Sequence, residues 1–151
     1  ALLQSNAELL ADPAKPRIEP RFSPAEHVLN QKLEAAMASG VYRELGLTIG
    51  VLAGKLGVPE HRLRALINQR LGYRNFSAFL NEHRVAEAKA LLASHEHVAL
   101  PILTIAMDLG YGSLAPFNRA FRDAEGQAPS EFRRAAILPD VSARATDGIA
   151  P

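Results

Sequence analysis

An all-α fold of about seven helices is predicted, with two helix-turn-helix subdomains joined by one long linker helix. Three observations carry this. Apolar residues recur at helical spacing in the segments from Ser23 to Arg134. Most of those segments open on capping residues or Pro and stop at Gly. The stretch Ile49 to Val58 returns, in altered wording, from Ile102 to Tyr111.

The chain has 151 residues, of which 48% are hydrophobic and 22% charged, enough to bury one ordinary core or two small ones. No apolar run approaches the ~20 residues that span a bilayer, and no basic-then-apolar leader pattern follows Ala1. With no Cys there is no disulfide framework, thiolate zinc site or cysteine nucleophile, and a reducing compartment, the cytoplasm, suits the chain. A net charge of +1 says little by itself. From Val41 to Arg134, however, twelve basic residues stand against nine acidic ones, and ten of the twelve are Arg. The guanidinium fork suits phosphates and guanine edges.

Residues 1–22, with Pro13, Pro16 and Pro20 among mixed charges, read as a linker or truncated inter-domain segment, with a short helix over Leu2 to Leu10. The opening on Ala1 reads as a piece cut from a longer protein. The body of the domain is expected at 23–138. Ser23-Pro24-Ala25-Glu26 is a capping box with Pro at the first helical position, opening a helix over 24–39 whose apolar face is Val28, Leu29, Leu33, Ala36 and Met37. The first helix-turn-helix is expected over 48–71: Thr48 caps Ile49 to Leu56, Gly57 stops it, and Pro59 starts a helix running to about Leu71. Asn75 caps the linker helix over 76–93. His95 to Leu100 reads as a loop, the second helix-turn-helix covers 102–125, a final helix 129–136, and 139–151 is a flexible tail.

The repeat is the most specific feature. Leu52-Ala53 and Leu56-Gly57 match Ile105-Ala106 and Leu109-Gly110 at one offset. One residue more in the second turn matches Leu63, Ile67 and Gly72 to Phe117, Phe121 and Gly126. Ala in the first helix lets the second pack closely, Gly permits the turn, and the apolar pair four apart fixes the second helix, leaving its outer face free for a major groove. Phe76, Phe79, Phe117, Phe121 and Phe132 fall on inner faces, which argues against a single-strand stacking platform. Tyr42, Tyr73 and Tyr111 fall at helix ends, where the ring is expected to pack and the hydroxyl to face solvent.

Ile105-Ala106, Leu109-Gly110-Tyr111, Ser113, Phe117 to Arg122, Gly126 and Pro129 through Phe132-Arg133 closely follow the signature of the AraC/XylS family of transcription regulators, which the stretch Val41 to Arg134 resembles. Two departures are Pro116, in the first turn of the second recognition helix, and a Gly72-to-Phe79 spacing one residue longer than usual. The resemblance implies a sequence-specific regulator of double-stranded DNA, with recognition helices 59–71 and 114–125 in successive major-groove segments. It further implies RNA polymerase as a partner, a sensor domain outside this chain, a monomeric isolated domain, and no cofactor or metal. Some relatives carry a membrane-embedded N-terminal region, which would attach the intact protein to a membrane.

The expected base contacts are His61, Arg64, Ala65 and Asn68 in the first recognition helix and Leu114, Ala115, Asn118 and Arg119 in the second. Arg64 suits guanine O6 and N7, Asn68 adenine, and Ala65 a thymine methyl. Phosphate contacts are expected from Arg62, Arg70, Arg74, Arg122 and Arg133 and from the helix starts at Thr48 and Ser113. Two other readings compete: a non-catalytic helical interaction module, and a metal-dependent enzyme. The enzyme rests only on His95-Glu96-His97, whose histidines are two apart in a loop and lack Glu-x-x-His spacing. Related methyl-acceptor proteins need a reactive Cys, and this chain has none.

Overall fold

The computed structural model describes residues 21–137. The helix expected over Leu2 to Leu10 and the tail at 139–151 lie outside them. The described residues form seven α-helices and no strands: α1 (Pro24–Ala38), α2 (Ile49–Leu56), α3 (Glu60–Ala65), α4 (Phe76–Leu92), α5 (Ile102–Asp108), α6 (Leu114–Glu125) and α7 over 129–137. Short 3₁₀ turns lie at Val41–Arg43 and His95–His97.

Local chemistry sets the helix starts. The Ser23 hydroxyl accepts from Glu26 N at 3.2 Å, and the Glu26 carboxylate accepts from Ser23 N at 2.8 Å, closing the capping box. That backbone donor chiefly holds the Glu26 carboxyl below its ordinary range, helped by Arg70 against the opposing effect of burial. Thr48 accepts from Val51 N at 3.1 Å and Asn75 from Ala78 N at 2.8 Å.

The two copies of the repeat close with the same hydrogen bond. Val58 N donates to Ala53 O at 3.0 Å, and Tyr111 N donates to Ala106 O at 3.0 Å. Ala53 and Ala106 are buried beneath Leu63 and Ile67 in one copy and Phe117 and Phe121 in the other. Two cores result. The first holds α1 through α3 with Phe79 and Leu80; the second holds α5 and α6 with Val85, Ala88 and Leu92. Helix α4 therefore gives its first half to one core and its second half to the other. Edge contacts Phe117–Phe121 at 5.9 Å and Phe121–Phe132 at 5.4 Å carry the second core onto α7.

Arg84 stands where α4 changes cores, and it is buried. Its Nε donates to Tyr42 O at 2.7 Å, a second nitrogen reaches Glu44 O at 3.4 Å, and the guanidinium lies 5.0 Å from the Tyr111 ring centre. One side chain thus ties the segment before the first helix-turn-helix to the turn of the second. Burial lowers the pKa of this guanidinium, partly offset by Tyr111. Burial pushes Tyr111 up to about 12, against the pull of Arg84.

Three expectations change. Val28, placed on the apolar face of α1, is exposed, and the buried residues of that helix are Leu29, Leu33 and Met37. The helix expected to run regularly to Leu71 widens after Ala65 into a π turn at Leu66–Arg70, where Leu71 N donates to Leu66 O at 2.8 Å. The wide turn buries the adjacent Leu66 and Ile67 together. The tyrosine hydroxyls are not left to solvent: Tyr42 donates to Glu87 at 2.6 Å, Tyr111 to Asn81 at 2.7 Å, and Tyr73 to Glu82. Each acceptor is on α4, which passes close enough to claim the hydroxyl once the ring is packed.

The turn glycines make a paired prediction. Gly57 (φ +69°) has open space where a Cβ would project; Gly110 (φ +100°) would set that Cβ 2.8 Å from Arg43 O and 2.8 Å from an Arg84 nitrogen. Gly57→Ala should cost about 1 kcal/mol for the left-handed backbone alone. Gly110→Ala adds a collision with backbone and should cost about 3 kcal/mol or more. Urea unfolding of both variants checks this; equal losses would contradict it.

Candidate nucleic-acid interface

With Leu63 and Ile67 fully buried, α3 is fixed against α2 and its outer face is settled. His61, Arg62 and Arg64 are exposed there, and Ala65 and Asn68 are half-buried. Asn68 lies inside the π turn, where four residues fall short of one full turn, so it stands out of line with Arg64. The Arg64 guanidinium donates to Glu60 at 2.6 Å, one helical turn earlier. The other Glu60 oxygen sits 2.7 Å from where a Cβ on Gly50 would be, so the absence of a side chain on α2 makes room for the pair.

Helix α6 starts at Ser113, which is exposed and makes no side-chain capping bond. Pro116 falls in the first turn, where a missing N–H costs nothing. Ala115 and Arg119 are exposed and Asn118 is half-buried, while Leu114 leans on the second core. The face α6 offers is thus less polar than that of α3.

The expected phosphate contacts divide into two groups. Arg62, Arg74 and Arg122 are exposed. Arg70 is paired with Glu26 at 3.2 Å, which ties the end of the π turn after α3 to α1. Arg133 donates to Val98 O at 3.2 Å and Leu100 O at 2.6 Å, which pins α7 to the loop after α4. The Thr48 hydroxyl is engaged in its own cap. His97 meets Ser94 Oγ at 3.0 Å, and no cluster of three metal-ligating side chains occurs among the described residues.

Two residues that matter here escaped the sequence reading. Glu60 could have been found from its i,i+4 spacing to Arg64. Arg84 could have been found as well, from its place four residues after Leu80 and four before Ala88 on the inner face of α4.

The model of a family described as a helix-turn-helix domain matches residues 52–135. The chain is 32% identical over 87 residues to the regulatory protein SoxS of Salmonella typhimurium, covering 58% of this chain and 78% of that protein. It is 35% identical over 85 residues to the arabinose operon regulatory protein of the same organism, covering 56% of this chain and only 29% of that protein. Among solved structures, the C-terminal domain of AraT, a response regulator from Geobacillus stearothermophilus, aligns with a TM-score of 0.61 at 31% identity, covering 76% of this chain and 88% of that one.

Proposed function

This chain belongs to the AraC/XylS family of helix-turn-helix transcription regulators, and on that premise we propose that it reads double-stranded DNA with two recognition helices, residues 59–71 and 114–125, set in successive major-groove segments. The observation that carries the reading is the pair of identically closed turns, 3.0 Å from Val58 N to Ala53 O and from Tyr111 N to Ala106 O, each followed by a helix whose inner side is locked and whose outer side is open. In this reading the first helix does most of the sequence discrimination. Arg64 takes guanine, Asn68 adenine and Ala65 a thymine methyl, with His61 beside them. Leu114, Ala115, Asn118 and Arg119 read more loosely, through apolar contact and one guanidinium.

Arg62, Arg74 and Arg122 bind phosphate, joined by the backbone N–H groups at Thr48 and Ser113. Arg70 and Arg133 serve by holding α3 and α7 in place and by adding positive field near the backbone. The same reading gives the intact regulator a sensor domain and RNA polymerase as a partner, working in the cytoplasm. Among the described residues no helix is long and apolar enough to cross a membrane.

The test is the salt dependence of binding, followed by fluorescence anisotropy on a labelled duplex. Removing Arg62, Arg74 or Arg122 should weaken binding alike on every sequence and reduce the slope of log K against log salt by about 0.9 each. An unchanged slope would take these residues out of the phosphate contacts, and no binding even at low salt would overturn the DNA reading for this domain.

A further inference from the structure

The carboxylate of Glu60 is engaged on both sides. Its Oε2 accepts from Arg64 Nη2 at 2.6 Å, one helical turn further along α3. Its Oε1 lies against the first turn of α2, 2.7 Å from where a Cβ on Gly50 would stand, beside the helix start that Thr48 caps. Glu60 is also the first residue of α3, so the carboxylate sits at the positive ends of two helices at once. An exposed i,i+4 pair is by itself a weak contact. Here the two helix starts fix the acid, and the acid in turn fixes the base. The seat exists because position 50 carries no side chain, although Gly50 stands in regular helix and has no positive φ that would call for glycine.

We propose that Glu60 is a positioning residue that sets specificity: it orients the Arg64 guanidinium for guanine, and Gly50 supplies the seat from which it does so. The inference rests on the reading above of Arg64 as a guanine contact. A guanidinium has five donors and the bond to Glu60 takes one, which leaves enough for a forked pair with guanine O6 and N7. Without that anchor the long Arg64 side chain is free to turn to phosphates, which are the same on every sequence. The carboxylate also repels phosphate, which lowers affinity for any duplex. Glu60 therefore trades affinity for discrimination.

Two variants test this by different routes. Glu60→Gln removes the charge and keeps the shape, whereas Gly50→Ala leaves every polar group in place and fills the seat. Arg64→Ala first identifies the base pair that Arg64 reads. The two variants are then titrated, by fluorescence anisotropy, against the duplexes that differ at that pair and against a random duplex. Both should lose about fivefold of the preference for guanine, and Glu60→Gln should bind the random duplex about threefold more tightly. A purely structural defect would instead weaken binding to all the duplexes together. If Arg64→Ala relaxes no base pair, the reading of Arg64 fails and this inference with it. If it relaxes one while Glu60→Gln or Gly50→Ala keeps the parent's preference there, the positioning role alone is overturned.

Discussion

Substituting Arg84 with methionine is expected to destabilise the domain by about 2 to 4 kcal/mol and to weaken binding to a two-segment DNA site roughly tenfold further where the protein remains folded. Methionine keeps most of the packed stem, so the loss comes from the head group. The Tyr42 carbonyl, which now accepts at 2.7 Å, is left without that donor in a buried place, at about 1 to 3 kcal/mol. The contact with the Tyr111 ring at 5.0 Å adds about 1 kcal/mol. The effect on DNA has a separate origin. Each subdomain keeps its own core, so each proposed recognition helix survives; what is lost is the fixed angle between them, and two helices held less rigidly would gain less from binding together. Urea unfolding gives the first quantity, and anisotropy on duplexes carrying one or both segments gives the second. A variant as stable as the parent, or one weakened equally on both duplexes, would remove Arg84 from this role.

The second large effect is expected at the recognition helices. Arg64→Ala and Arg119→Ala should each cost about 1 to 3 kcal/mol on the preferred site, and relax discrimination at one base position apiece. Arg64→Ala should fall at the upper end. Its guanidinium neutralises Glu60 at 2.6 Å, so truncation also leaves an unpaired carboxylate on the proposed DNA-facing surface. Adding Glu60→Gln to Arg64→Ala should then recover part of the affinity while leaving discrimination relaxed. Among the described residues no carboxylate is hydrogen-bonded or ion-paired to Arg119, so Arg119→Ala should show mainly the loss of its own contact. Quantitative anisotropy on single-base variants of the site measures both. If the double variant binds no better than Arg64→Ala alone, the Glu60 pairing plays no part in recognition.

What could be read from the sequence was what depends on residues near one another along the chain. Thr48 caps because its hydroxyl meets Val51 N three residues on, and Gly57 and Gly110 end their helices because the turn needs a positive φ. The repeat then supplied the packing, since Leu63 and Ile67 in one copy and Phe117 and Phe121 in the other must lie inward for either turn to close. The π turn at Leu66–Arg70 was not legible, because its sequence suits a regular helix and its width follows from burying Leu66 and Ile67 together. Tyrosine partners were missed for a similar reason: Tyr42 and Glu87 are far apart in sequence and meet only because α4 passes beside the 3₁₀ turn at Val41–Arg43. Of the expected interface, the exposed positions of α3 and α6 follow from periodicity. The engagement of Arg70 by Glu26 and of Arg133 by two carbonyls does not, since a solvated Arg and a tethered one look alike in a sequence.

Selection of binding sites from a randomised duplex library, run in parallel on the parent protein and on Arg64→Ala and Arg119→Ala, tests the two-headed reader most directly. The expected result is one enriched, non-palindromic motif spanning two adjacent major-groove segments, with Arg64→Ala blurring one segment and Arg119→Ala the other. A motif confined to a single segment, or no enrichment at low salt, would contradict it.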